Sequence, residues 1–328
     1  MARVPVDVLN RSGRHKGPGG PHPRAKSQRE KSTATSCLRG RILSLTAFLL
    51  VILAALSHAT WNFLAKRAAH SEHLIWFSSA IEALLFAPIA VWILTDAWSS
   101  LGLKAVLFLL ATGALHLLYT ETLFRGYRAG DLTVVYPLAR GTGPLLSFCG
   151  AVGLLHEHAS LLATLGALLV TFGILHCSGG LAAFRDTRNH AGLFWGTATG
   201  CVIAGYTLVD GYSVKVLLLS PILVEYAGNL FRAVVLSFGA HRRRASLRQE
   251  YALYWQEALG IALLAPFGYI LVLFAMRLAP VSHVAPMREM SMMIGMYFGA
   301  RFLSEGQIVR RAVGSAFIVG GVAALALG

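Results

Sequence analysis

The sequence predicts an all-α membrane protein with ten transmembrane helices, arranged as two five-helix inverted repeats. Three observations lead there. Hydrophobic residues make up 55% of the 328 and charged residues only 13%, about half the charge a soluble protein uses to cover its surface. The apolar residues fall into ten runs, each close to the ~20 residues that cross ~30 Å of hydrocarbon. The second five runs repeat landmarks of the first in the same order.

Residues 1–41 stand apart. They hold ten Lys/Arg against Asp7 and Glu30, with Pro18, Pro21, Pro23 and four glycines before Arg24. With almost no apolar periodicity this stretch cannot bury a core, and it reads as a disordered basic tail. It contains no Phe, Tyr or Trp to stack on bases, so anionic lipid is the expected partner and nucleic acid is not. A shorter protein starting just before Leu43 is a second reading of this stretch. The formal net charge of +14 owes +8 to the tail.

The runs follow at 42–64, 73–95, 103–124, 132–155, 160–178, 191–213, 218–239, 255–276, 281–303 and 308–327. Connections are short and carry the charges, as at Lys66-Arg67, Asp96, Arg125–Asp131, Arg185–His190 and His241–Glu250. No soluble domain fits between any two runs. A cleavable signal peptide is not expected, because the first run is too long and too far from Met1. The four cysteines (Cys37, Cys149, Cys177, Cys201) have no close spacing, which argues against a redox or zinc motif.

The repeat rests on matched landmarks. Leu155, Glu157, Gly166 and Gly173 each find the same residue type 148 positions on, at Leu303, Glu305, Gly314 and Gly321. Pro137 matches Pro286 at 149, and Tyr119 and Phe124 match Tyr269 and Phe274 at 150. The constant order with two single-residue shifts points to duplication. The repeats are expected over 42–178 and 191–328. Five is odd, so the second repeat enters the membrane from the opposite side to the first, an architecture used by secondary transporters.

Several stretches carry a resemblance. His58 to Lys66 (HATWNFLAK) resembles the first-span motif of EamA-type carriers of the drug/metabolite transporter superfamily. Arg128 to Leu138 (RAGDLTVVYPL) is similar to that family's entry into span four, and Leu155-His-Glu157 and Leu303-Ser-Glu305 to its LxE signature. Ala204 to Asp210 (AGYTLVD) resembles the second-repeat counterpart of the first motif. The resemblance covers about 42–328. It implies a ten-span permease of a bacterial inner membrane with both termini cytoplasmic, and it leaves the substrate open. Where the first half has Leu138-Ala-Arg140 the second has Met287-Arg-Glu289, so an asymmetric site is expected.

Ionisable groups inside spans are costly and therefore functional candidates. His58, Trp61 and Asn62 fall on one helical face, as do Tyr136 with Arg140 and Tyr206 with Asp210. Span three holds His116, Tyr119 and Thr120 on one face, then Glu121. Span nine holds Arg288 and Glu289, and Tyr269 lies in span eight. Arg140 maps onto Arg288 at an offset of 148 and onto Glu289 at 149. Charges at matched depth in repeat-related helices should meet at the seam. Arg140, Arg288 and Glu289 are expected to line a central pathway, with His58, Trp61, Asn62, Tyr119, Tyr136, Tyr206, Asp210 and Tyr269 completing a substrate site. The plainer reading is a structural ion pair of Arg140 with Glu289 or Asp210.

Glu82, Glu121 and Glu225 are candidates for proton coupling. Glu121 could instead pair Arg125, and Glu225, Asn229 and Arg232 could form a cluster within one helix. Glu157 and Glu305 read as hairpin caps for the next helix. His156-Glu157-His158 lacks further ligands, so no metal and no cofactor are expected. Five of the seven methionines (Met287, Met290, Met292, Met293, Met296) crowd span nine, as a tolerant binding wall or as gap filling.

No P-loop is present to use ATP, and neither GxSxG nor HExxH occurs, so an enzyme is not expected. The leading expectation is a secondary carrier of a small polar or amphiphilic metabolite working by alternating access, with proton coupling open. The alternatives are a flippase of a lipid-linked sugar or lipid, and a non-transporting sensor or scaffold. The expected partners are a small-molecule substrate and the bilayer, in a monomer or homodimer. Lys/Arg counts tie at thirteen on each side of the membrane when the tail is included, so the cytoplasmic placement of the termini rests on the resemblance.

Overall fold

The computed structural model describes residues 44–68, 71–98, 101–129, 132–177, 190–242, 247–294, 297 and 308–328, with the side chains at 66, 127, 132–134, 136–137, 242 and 308–311 outside the description. The basic tail, Met296, the Leu303–Glu305 signature and the side chains of Tyr136 and Pro137 therefore lie outside the described residues. The described residues contain no strand.

The helices are α1 (Leu45–Arg67), α2 (Leu74–Ala97), α3 (Leu103–Ala129), α4 (Leu132–Leu154), α5 (Leu161–Cys177), α6 (His190–Lys215), α7 (Pro221–Arg242), α8 (Leu247–Leu278), α9 (Val281–Met287) and α10 (Ile308–Leu327). Six of them (α1, α2, α3, α6, α7, α8) are long and apolar enough to cross a membrane, and α5 and α10 hold shorter apolar stretches. Large apolar side chains point outward around the bundle, among them Leu84 at 76%, Leu161 at 77% and Phe238 at 70% exposure. A surface of this kind is stable against lipid, not water, and helices leave no backbone group unpaired there. The chain is a multi-pass helical membrane protein.

Two elements differ from the apolar runs. The run at 255–276 belongs to a longer helix, α8, which kinks at Tyr254 (φ −119°, ψ 15°) and so separates 247–253 from the apolar part. The run at 281–303 is broken. α9 is only seven residues long, Arg288 and Glu289 form a turn, and helical backbone resumes over 290–294. Pro286 has no N–H to give and its ring crowds the preceding turn. Beyond it the bonding tightens to i−3 steps: Glu289 N–H to Pro286 O at 3.1 Å, Ser291 to Arg288 O at 3.2 Å and Met292 to Glu289 O at 3.0 Å.

Packing relies on small residues where backbones come close. α5 and α10 cross with almost nothing between them. A Cβ added to Gly166 would lie 2.7 Å from Gly321 O, and one added to Gly173 2.7 Å from Gly314 O. These contacts run in opposite order along the two helices, so α5 and α10 are antiparallel. α2 and α7 also run antiparallel, with Trp76 bonded to Ser237 (2.9 Å) and Tyr226 to Ala83 O (3.2 Å). α1 lies against α8 through Ser57 Oγ to Leu264 O at 2.6 Å, and α3 lies against α6. α4 sits between α5, α6 and α9, which places it at the centre of the bundle.

One turn joins distant parts. His156 takes a left-handed backbone (φ 54°) that redirects the following residue. Glu157 then accepts the N–H groups of Val281 and Ser282 at 2.9 Å each and the Lys215 ammonium at 2.6 Å. The expected cap for the next helix is thus a cap for α9. The start of α5 is served by Ser160, whose Oγ accepts the Ala163 N–H at 3.0 Å. Burial alone would raise the Glu157 carboxyl, but the Lys215 bond and the two backbone N–H groups outweigh it and hold the group below its ordinary range.

Candidate functional site

The centre is built where α4 meets the break after α9. Arg140, on α4, and Arg288 and Glu289, in the turn, are all buried (8%, 5% and 1% exposed). Arg140 Nη1 donates to Glu289 Oε2 at 3.3 Å and Oε1 at 3.5 Å, and Arg288 Nε lies 3.6 Å from Glu289 Oε1. One carboxylate thus faces two guanidiniums, at distances longer than the 2.7–2.9 Å of a tight charged bond. Arg288 Nε, buried, makes no hydrogen bond.

α1 closes one side of this centre. Arg140 Nη2 lies 2.9 Å from His58 Nε2, while Trp61 Nε1 lies 3.2 Å from His58 Nδ1. Both partners are donors only, and a neutral imidazole offers one acceptor nitrogen. The ring can accept from Arg140 or from Trp61, not from both at once. Asn62 Nδ2 donates to His58 O at 2.6 Å and so stays within its own helix.

The opposite side is aromatic. Asp210, on α6, is fully buried. Its Oδ2 accepts from the Tyr269 hydroxyl of α8 and meets His116 Nε2 of α3 at 3.0 Å, while Oδ1 has no hydrogen-bond partner. His116 stacks on Tyr206 with centroids 4.3 Å apart and meets Tyr269 edge-on at 5.3 Å. Tyr119 stands edge-on to Tyr206 at 5.9 Å, and the Arg288 guanidinium lies 6.0 Å from the Tyr206 ring centre. Tyr206 therefore bridges the Arg288 side of the centre to the Asp210 side.

Of the residues expected at the substrate site, the structure brings together His58, Trp61, Arg140, Arg288 and Glu289 in one group and Tyr119, Tyr206, Asp210 and Tyr269 in the other. Asn62 is bonded away into α1. His116 was read only as one member of a helical face, yet it touches Asp210, Tyr206 and Tyr269 together. Its spacing of three from Tyr119 was the available signal.

The three candidate proton-coupling acids divide. Glu121 is 48% exposed and bonded to Arg125 Nε at 2.7 Å, within one helix. Glu82 is buried against α7, with Arg232 Nη2 at 3.9 Å from Oε2, and Glu225 faces it. Arg232 bonds both along its own helix, with Nη2 on Asn229 Oδ1 at 2.8 Å, and across to α2, where its Nε donates to Ser79 Oγ at 3.0 Å. Met287, Met290, Met292 and Met293 fill space against the main apolar cluster. Among the described residues no group of three or more His, Cys, Asp or Glu is arranged to hold a metal ion.

No family model matches the chain, and no curated protein does. A crystal structure of another protein superposes on it with a TM-score of 0.67, covering 85% of this chain and 96% of its own, at 14% identity. At that identity the likeness is one of fold alone.

Proposed function

We propose that the chain is a secondary carrier that moves a small polar or amphiphilic metabolite across a bacterial inner membrane by alternating access. The observation that carries this reading is the buried charge group at the broken helix, Arg140 with Glu289, Arg288 and His58. A broken helix bearing buried charge is how carriers expose backbone and side-chain groups to a solute in mid-membrane. A fold stabilised only for its own sake has little to gain, because an apolar set of the same volume is commonly as stable or more so.

The arrangement of helices supports two inverted five-helix repeats. Partners five apart in order (α2 with α7, α4 with α9, α5 with α10) pack on each other. α1 on α8 is matched by α6 on α3. The glycines matched by the repeat meet crosswise, 166 with 321 and 173 with 314, as a two-fold axis in the membrane plane requires. This is the architecture that the EamA-type resemblance implies, with the substrate at the seam between the halves. Two guanidiniums and two carboxylates (Glu289, Asp210) line it, with Arg288 Nε and Asp210 Oδ1 left without hydrogen-bond partners, which favours a zwitterion over a bare cation.

The test is flux in proteoliposomes holding the full chain, with a panel of zwitterionic, anionic and cationic metabolites and with or without a pH gradient. Uptake or counterflow of one class, lost in Arg140→Ala with folded protein retained, is the expected result. Full flux in Arg140→Ala would sink the proposal.

A further inference from the structure

A second polar group lies outside the centre, between α2 and α7. Glu82 is 2% exposed and its Oε1 has no hydrogen-bond partner. Glu225 sits across the interface from it, next to Tyr226, whose hydroxyl donates to the Ala83 carbonyl beside Glu82. Arg232 is the cation that faces the pair among the described residues, and it is fixed from both helices. Its Nε donates to Ser79 Oγ, its Nη2 donates to Asn229 Oδ1 at 2.8 Å, and Asn229 in turn donates to Ser79 O at 3.0 Å. The guanidinium is held 3.9 Å from Glu82, too far for a tight bond.

Two carboxyl groups facing one guanidinium in a dry interface balance when they share a single proton. Two carboxylates facing each other out of water repel, and one proton held between them removes that repulsion. We propose that Glu82 and Glu225 form one proton-binding site, positioned by Arg232, and that His116 links its occupancy to Asp210 in the central group.

The link is geometric. His116, on α3, lies against α7, since a Cβ added to Gly228 would come 3.8 Å from its ring. From there it reaches Asp210 on α6, and Tyr269 of α8 completes that partnership. The groups facing the acid pair are thus Arg232 from α7, His116 from α3 and, through His116, Asp210. Glu225 is the partly buried member of the pair and Glu82 the fully buried one. When the shared proton leaves to water, the pair carries one more negative charge than Arg232 neutralises. The imidazole is then drawn toward Glu225 and away from Asp210. Freeing Asp210 alters the central group, so proton and solute affinities change together and reciprocally. The coupling half rests on the carrier reading; the proton site does not.

Infrared titration of the purified full chain in phosphatidylcholine vesicles tests both halves without any solute. Wild type should show the carbonyl stretch of a protonated carboxyl that disappears when the pH is raised far enough to remove the shared proton. Glu82→Gln and Glu225→Gln should each remove it, and Glu121→Gln should keep it. Should a variant fail to yield monodisperse protein, wild type grown with heavy-carbon glutamate serves instead, where the band must shift. A band that survives both Gln variants, or that shifts with labelled aspartate only, overturns the site. His116→Asn should move the midpoint by at least about tenfold in proton concentration, and so should Asp210→Asn. Midpoints unmoved in both overturn the link while leaving the proton site standing. Flux that fails to appear, with the band behaving as expected, counts against the carrier reading alone.

Discussion

α5 with α10 and α4 with α9 both pair helices five apart in chain order, yet they meet in opposite ways. α5 and α10 touch backbone to backbone over Gly166, Gly173, Gly314 and Gly321, where no side chain fits between them. α4 and α9 meet through Arg140 and Glu289, held at 3.3 Å, with Arg288 left one bond short. The first contact is dispersion at the closest possible approach, which tolerates no shift of even a methyl group. The second is a set of long polar contacts with spare donors, which can exchange partners at small cost. The difference assigns rigidity to one end of the seam and change to the other.

The contrast can be broken most strongly at the charged end. Glu289→Ala leaves two buried guanidiniums without their carboxylate and should cost about 3–5 kcal/mol, read as a loss of thermal stability in detergent. The double variant Arg140→Met with Glu289→Leu should recover most of that stability and still fail to transport. Stability recovered with transport intact would make the pair a structural lock only. At the glycine end, Gly166→Val forces a side chain onto the Gly321 carbonyl and should cost about 1–3 kcal/mol or prevent folding.

Glu157→Gln tests the clamp that ties α9 to Lys215 and should cost about 1–2 kcal/mol near neutral pH. The sign follows from the lowered carboxyl. Its contribution is full above the ordinary glutamate range and fades as pH falls through the lower folded-state value. Wild type should therefore lose stability on acidification more steeply than Glu157→Gln, as melting curves across pH will read. The smallest effect is expected at Gly320, which neighbours Gly321 but has nothing within 4 Å of its added Cβ. Gly320→Ala should be neutral or stabilise by up to about 1 kcal/mol.

Much of this contrast is legible in the amino-acid sequence. The four glycines and the match of Arg140 to Glu289 lie at offsets of 148 and 149 in the sequence, the near-constant spacing expected of a duplication. The partners across helices were not legible. Helical spacing shows which residues share a face but not how far each helix is rotated toward its neighbour. Spacing thus finds Arg232 with Asn229 on one helix, where they do bond, but not its contacts with Ser79 and Glu82 on α2. The break at Arg288 and Glu289 was hidden because 281–303 is continuously apolar enough to read as one run, although Pro286 marked the place. Glu157 was read as a local cap because nothing in a sequence foretells a partner 124 residues away.

Trp61 is one of six tryptophans and the one whose indole N–H is set against His58, the ring that Arg140 also approaches. An indole's emission responds to charge and polarity around it. Any rearrangement that pulls Arg140 off His58 hands the imidazole lone pair to Trp61 and changes that surrounding directly. The protein thus carries its own optical gauge beside the guanidinium, so the solute arrival that the proposed carrier role requires should be visible as light from an unlabelled chain.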